Sequence, residues 1–323
     1  MHYSVHHVTR FRYSAPIRES LVETRLRPQA DELQRLNGFH LTTHPRAQLF
    51  TYADDFGNTV YHFDIPGEHQ ELTIDASSKV DVDRPPTLPE ALAPDAWEAL
   101  RSDATKAQHF ELLCPSTIAK DGEALEAFLK ETGLEPHACP LATVRDLNET
   151  LYRSFTYESG TTRVDSPIEV AIASRKGVCQ DFAHVMIAIL RDWGIPARYV
   201  SGYVCHRPDA ILDRSAPDQS HAWVEAFLPG IGWVGFDPTN DCLAEERHIR
   251  IAYGRDYADA PPTRGVFKGD AQSELAVAVT VTPSEAPRLA TPFLRVLSAA
   301  KVAEAASPVT ARLRSQSAQQ QQQ

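Results

Sequence analysis

Several absences narrow the reading of this 323-residue chain. No run of about 18 apolar residues occurs, so no helix is expected to span a bilayer. The opening MHYSVHHVTRFRYS lacks the apolar h-region of a secretory signal peptide. Basic charge is in deficit, with 32 Lys and Arg against 43 Asp and Glu and a net charge of −11. Phosphate backbones and anionic membranes need concentrated basic surface, so neither nucleic acid nor a membrane is an expected partner. The five cysteines, Cys114, Cys139, Cys179, Cys205 and Cys242, are odd in number and scattered, with no CxxC pair. That disfavours a disulfide framework and structural zinc, and the expected compartment is a reducing cytoplasm. No metal or other cofactor is expected.

What remains is a chain with ordinary apolar content, 42%, and enough length for two domains. Residues 1–85 read as β. QLFTYADDFGNTVYHFDIP joins two β-rich runs through a turn signal at Asp54–Asn58, and ELTIDASSKVDV adds an alternating run. Several short strands point to a small β-sandwich-like domain. The Pro-rich stretch RPPTLPEALAPDAW marks a boundary, after which GEALEAFLKETG and TVRDLNETLYRSF carry helical periodicity. Residues 86–285 form a second domain with this helical lead. Residues 286–323 form a C-terminal extension, and its end, SQSAQQQQQ, is of low complexity and expected to be disordered.

The strongest helix signal starts in KGVCQDFAH, where Phe182, Val185, Met186, Ile189, Leu190 and Trp193 recur at three- and four-residue steps before Gly194 and Pro196. Cys179 falls at its start. A free cysteine is most often a small packing residue. At a helix N-terminus, however, the macrodipole and unpaired N–H groups favour a thiolate and can hold an oxyanion. A thiolate nucleophile needs a base, and the base needs an orienting group. Of the 13 histidines, His184 lies five residues along the same helix and points elsewhere. His206 sits at a strand end, and His6 and His7 carry no signal beyond an edge strand.

His221 differs. In HAWVEAFLPGIGWVGFD, alternation puts His221, Trp223, Glu225 and Phe227 on one face of a strand. Antiparallel pairing about Pro229 sets His221 opposite Asp237, Trp223 opposite Gly235 and Glu225 opposite Trp233. A slip by two residues keeps the same face, and only an odd slip separates the pair. The carboxylate can then hold one imidazole N–H and leave the other nitrogen for the thiol. The plainer alternative is an exposed cross-strand His–Asp pair. The cysteine at the helix start counts against it.

GVCQDFAH, LRDWGIPARYVSGY and SHAWVEAFLPGIGWVGFDPTN together resemble the transglutaminase-like core of the papain-like cysteine enzymes. The bacterial branch with its own N-terminal β-domain is the nearest resemblance, through HYSVHHVTRFRYS, DFGNTVYHF and GRDYADAPPTRGVFKG. It implies an α+β fold, a nucleophile helix packed on an antiparallel sheet. It also implies Cys179 as nucleophile, His221 as base and Asp237 as orienting acid, with a protein, peptide or amide substrate. The Cys179 N–H is one oxyanion donor. Tyr157 is a candidate for the second, and Gln180 and Trp223 are further candidates around the site. Unlike the calcium-activated animal enzymes, the chain has no room for β-sandwich domains after the core. Three functions stay open: a hydrolase of amide bonds (first choice), an amine-accepting cross-linking transferase, and a non-catalytic interaction module. The N-terminal domain is expected to wall the cleft, position substrate or form a homo-oligomer interface.

Overall fold

The computed structural model describes residues 1–206, 213–214 and 218–285. The low-complexity tail lies outside these residues. Four strands come first: β1 (His2–Thr24), β2 (Gln34–His44), β3 (Phe50–Ala53) and β4 (Thr59–Val82). A helical stretch follows, with α1 (Ala96–Arg101), α2 (Asp103–Gln108), α3 (Phe110–Leu113), α4 (Glu123–Thr132) and α5 (Pro140–Ser154). Then come β5 (Thr156–Tyr157), α6 (Ile168–Ser174), β6 (Lys176–Gly177) and α7 (Cys179–Asp192). The chain continues through β7 (Ala197–Val204), β8 (His221–Leu228), β9 (Gly232–Asp237), β10 (Cys242–Leu243) and β11 (His248–Gly254). It closes with β12 (Thr263–Lys268) and β13 (Ser273–Pro283). Among the described residues, no helix is long and apolar enough to cross a membrane.

The N-terminal β region is built differently from a set of short strands. β1 and β4 are long and pair antiparallel along nearly their whole length, with register shifts between Arg12 and Glu19. Such irregularities bend a strand and raise its twist. The bend lets residues from both arms, including Tyr13, Ile17, Phe63, Leu72 and Ile74, share one apolar core. β2 and β3 pair with β4, while β12 and β13 pair with β1. The last two strands therefore return to the first sheet. Nothing local in the sequence announces a partner some 270 residues away.

The second sheet is antiparallel, in the order β10-β9-β8-β7-β11. Helix α7 lies against β7 and β8. Ala222, Val224, Ala226 and Leu228, the alternate residues of β8, face Phe182, Val185, Met186 and Ile189 in the main core. Residues Gln180 to Arg191 of α7 are all buried, so the helix is surrounded rather than half-exposed. This is the expected α+β arrangement. It fixes the position of Cys179 at the helix's first residue.

Candidate active site

The start of α7 is held by one carboxylate. Asp181 Oδ2 accepts the Val178 N–H at 2.8 Å and the Thr162 hydroxyl at 2.6 Å. Its carboxyl sits above its ordinary pKa because burial penalises the charge, although these hydrogen bonds pull the other way. A Cβ on Gly177 would lie 2.6 Å from Asp181 Oδ2. Gly177 is thus required as space for the cap. Cys179 follows the extended Val178, so its N–H lies in the first helical turn, where no intrahelical carbonyl reaches.

The β8–β9 hairpin departs from the expected register by two residues. Leu228 pairs with Gly232 and Val224 with Phe236, so Glu225 faces Gly235 rather than Trp233. The cause is the turn. Pro229 and Gly230 occupy the two central positions, Gly230 has φ +80°, and Ile231 N–H closes on Leu228 O. The turn centres one residue later than assumed. Asp237 lies diagonal to His221, not opposite. Because the slip is even, the face is kept, and His221 Nε2 donates to Asp237 Oδ2 at 2.8 Å.

Asp237 is fully buried and heavily hydrogen-bonded. Oδ2 also accepts the Asn240 Nδ2–H at 2.7 Å and the His248 Nε2–H at 3.3 Å, and Oδ1 accepts the Thr239 N–H at 3.0 Å. Burial alone would raise its pKa, but the His221 charge and these donors hold it well below the carboxylate range. For His221, burial disfavours the charged ring. The Asp237 carboxylate and the neighbouring Cys179 outweigh burial and raise the pKa to about 10. No backbone or side-chain hydrogen bond otherwise engages its buried Nδ1, which leaves that nitrogen to the thiol.

His221, Asp237 and His248 lie close enough to hold a cation. Their protons argue against that use. Glu245 N–H donates to His248 Nδ1 at 3.2 Å, so the proton of the neutral ring is on Nε2 and points at Asp237. His248 and Asn240 are the site residues that sequence reasoning missed. Asn240 stood in the DPTN motif. His248 opens β11, which pairs with β7 and is separated from β9 by two strands, so no local pattern links it to Asp237.

Cys179 and His221 line a cleft of about 250 Å³ with Tyr157, Tyr199 and Tyr257. Tyr157 is therefore in reach of the cleft, at the β5–β6 pairing that abuts Gly177. Gln180 also borders it, but its Nε2 donates to Val164 O at 2.8 Å. Trp223 does not line this cleft. It stacks on His221, with centroids 6.1 Å apart, and abuts His248 edge-on at 5.2 Å. Gly202 makes room for it, since a Cβ there would come within 2.4 Å of the indole. His184 is buried against Tyr199 and accepts the Tyr257 N–H, which ties the GRDYADA segment to α7. The opposite wall comes from the N-terminal sheet, through His7, Thr9, Leu275 and Val277. His7 is joined to Tyr203 Oη at 2.8 Å and to Thr9 Oγ1 at 3.0 Å, and burial lowers its pKa to about 4.

Residues 129–238 match the model of the transglutaminase-like superfamily, and residues 3–81 match that of the bacterial transglutaminase-like N-terminal region. An uncharacterized protein of Mycobacterium tuberculosis is 37% identical over 302 residues, covering 89% of this chain and 94% of that one. One from Mycobacterium leprae is 34% identical over 278 residues, covering 85% and 96%. A protein-glutamine gamma-glutamyltransferase of Pseudomonas aeruginosa is 30% identical over 153 residues, 45% of this chain but only 23% of that protein. Among solved structures, a Cytophaga hutchinsonii protein described as a candidate cysteine protease shares the fold, with TM-score 0.68 at 22% identity over 88% of this chain and 92% of that one. The chain belongs to the transglutaminase-like superfamily of cysteine enzymes, with the bacterial N-terminal region in front of the core.

Proposed function

We propose that the protein breaks amide bonds through a Cys179–His221–Asp237 triad and a thioester acyl-enzyme, with water as the usual acyl acceptor. The observation that carries this is the state of His221. Asp237 fixes one ring nitrogen, and the other is buried with only the thiol to serve.

In the reaction, the Cys179 thiol gives its proton to His221 Nδ1 and Sγ attacks the substrate carbonyl carbon. The oxyanion is met by the Cys179 N–H, with the Tyr157 hydroxyl as the side-chain donor from the same cleft. Collapse breaks the C–N bond as His221 returns the proton to the leaving amine. A water then gives a proton to His221, attacks the thioester, and releases a carboxylic acid and the thiol. Asp237 holds the imidazolium through both steps and keeps its charge.

A second reading has one supporting observation, the name of the Pseudomonas relative. There an amine replaces water and an amide is re-formed. Incubation with a glutamine-containing peptide and a labelled primary amine separates the two. Release of ammonia without label supports hydrolysis. Stoichiometric label in the peptide supports transfer. Neither product, with Cys179 alkylating no faster than a model thiol near pH 6, leaves the non-catalytic module.

A further inference from the structure

The wall of the cleft opposite Cys179 is formed by side chains on one face of the paired strands β1 and β13; β13 is an edge strand of that sheet, and its hydrogen-bonding parity can be read from its ends. Gln272 O accepts the Ser14 N–H, and Ser284 N–H donates to His2 O. Even-numbered residues of β13 therefore face β1. Val279 N–H donates away from β1, to Asp218 O at 2.9 Å. In an antiparallel ladder each residue turns its N–H and C=O to the same side. The N–H and C=O groups of Leu275 and Val277 thus point outward as well, and among the described residues no other strand pairs with them.

The side chains of these two residues line the cleft that holds Cys179, yet stay 58% and 41% exposed. Natural sheets usually blunt such an edge with charge, proline or a cover. Among the described residues it is uncovered and apolar, beside the candidate nucleophile. The backbone leading into His221 already occupies the edge one step along, at Asp218. Among the described residues the cleft carries no Asp, Glu, Lys or Arg side chain, so its chemistry suits an uncharged backbone.

We propose that the substrate is an extended polypeptide segment that adds to β13 as a further strand. Its main chain pairs with Leu275 and Val277, and this delivers an amide carbonyl to Cys179. The mode is β-strand addition, in which main-chain hydrogen bonds supply affinity and alternate side chains enter pockets. The proposal rests on the acyl-transfer reading for its chemistry, but its test is a binding measurement. The N-terminal region then serves as half of the substrate site.

The test uses the full chain with Cys179→Ser and a fluorescent, uncharged octapeptide of Ser and Thr around a central Gln. Two further octapeptides are N-methylated at every second residue, one in each frame. The expected result is binding at least about ten-fold tighter than the matching tripeptide. One methylated frame loses this gain and the other keeps it. Amide exchange at Leu275 and Val277 is fast in the free protein and slowed by the peptide. Equal behaviour of the two frames overturns the proposal. So does protection of these amides before peptide is added, which assigns the edge to a second copy or to the chain's own remaining residues. Turnover of a short glutamine amide by the wild type is scored separately, so the chemical reading can stand when the docking mode fails.

Discussion

Asp237→Asn is the most discriminating change in the candidate site. The amide keeps the shape and can still accept from His221 Nε2, but the negative charge is gone. His221 is raised from 6.5 to about 10, against burial, chiefly by Asp237. At about 1.4 kcal/mol per unit, the whole shift corresponds to roughly 5 kcal/mol between the two protonation states. Asp237 is the largest of the groups that raise it, so removing its charge should cost on the order of a hundred-fold in the population of the thiolate–imidazolium pair. The assay is alkylation of Cys179 by iodoacetamide as a function of pH. Wild type should react well near pH 6, and Asp237→Asn should lose on the order of a hundred-fold there, recovering only near the range of an ordinary thiol, about 8.5. The linkage gives a second readout. A base whose pKa rises on folding contributes stability that is fully present below its unfolded value and is lost as pH rises through the folded one. Wild-type stability should therefore fall between about pH 6.5 and 10, and the variant should show little of this fall. Unchanged alkylation near pH 6 in a folded variant refutes the reasoning.

Three further outcomes follow from the geometry. Gly177→Ala forces a methyl to within 2.6 Å of the Asp181 carboxylate; it should destabilise by about 1–3 kcal/mol in urea unfolding and slow Cys179 alkylation by displacing the cap. Glu225→Ala strips the partner from Arg198, whose guanidinium stacks on Trp233 and Tyr253; leaving that charge largely buried should cost about 3–5 kcal/mol, read by the same unfolding curves. His248→Phe removes one donor from Asp237 and should lower kcat with KM little changed, whereas His248→Gln, which can still present an N–H, should recover part of the loss.

The candidate pair, Cys179 and His221, was legible because its signals are local. α7 has its periodic face, its Gly and Pro stop and its cysteine at the start. The β8–β9 hairpin has alternation and a Pro-Gly turn. Even there the turn chemistry, read more closely, would have set the register. Pro229 and Gly230 belong at the two central positions of one turn, and that places Asp237 diagonal to His221. The need for glycine at 177 lies in the Asp181 side chain, which only the folded cap reveals. What stayed hidden depends on long-range pairing. His7 looked like an edge-strand residue, and the sheet brings it to the cleft wall. Nothing near β13 in sequence identifies β1 as its partner. His248 meets Asp237 across strands that are not neighbours in the sheet, which neither spacing nor alternation announces.

The central claim is that Cys179 carries the acyl group. Rapid mixing with a glutamine-containing peptide, acid quench and mass measurement of the intact chain and its peptides test it directly. The account predicts a transient adduct of peptide mass minus ammonia, confined to the peptide bearing Cys179 and absent in Cys179→Ser. An adduct on another residue, or turnover that persists in Cys179→Ser, contradicts it.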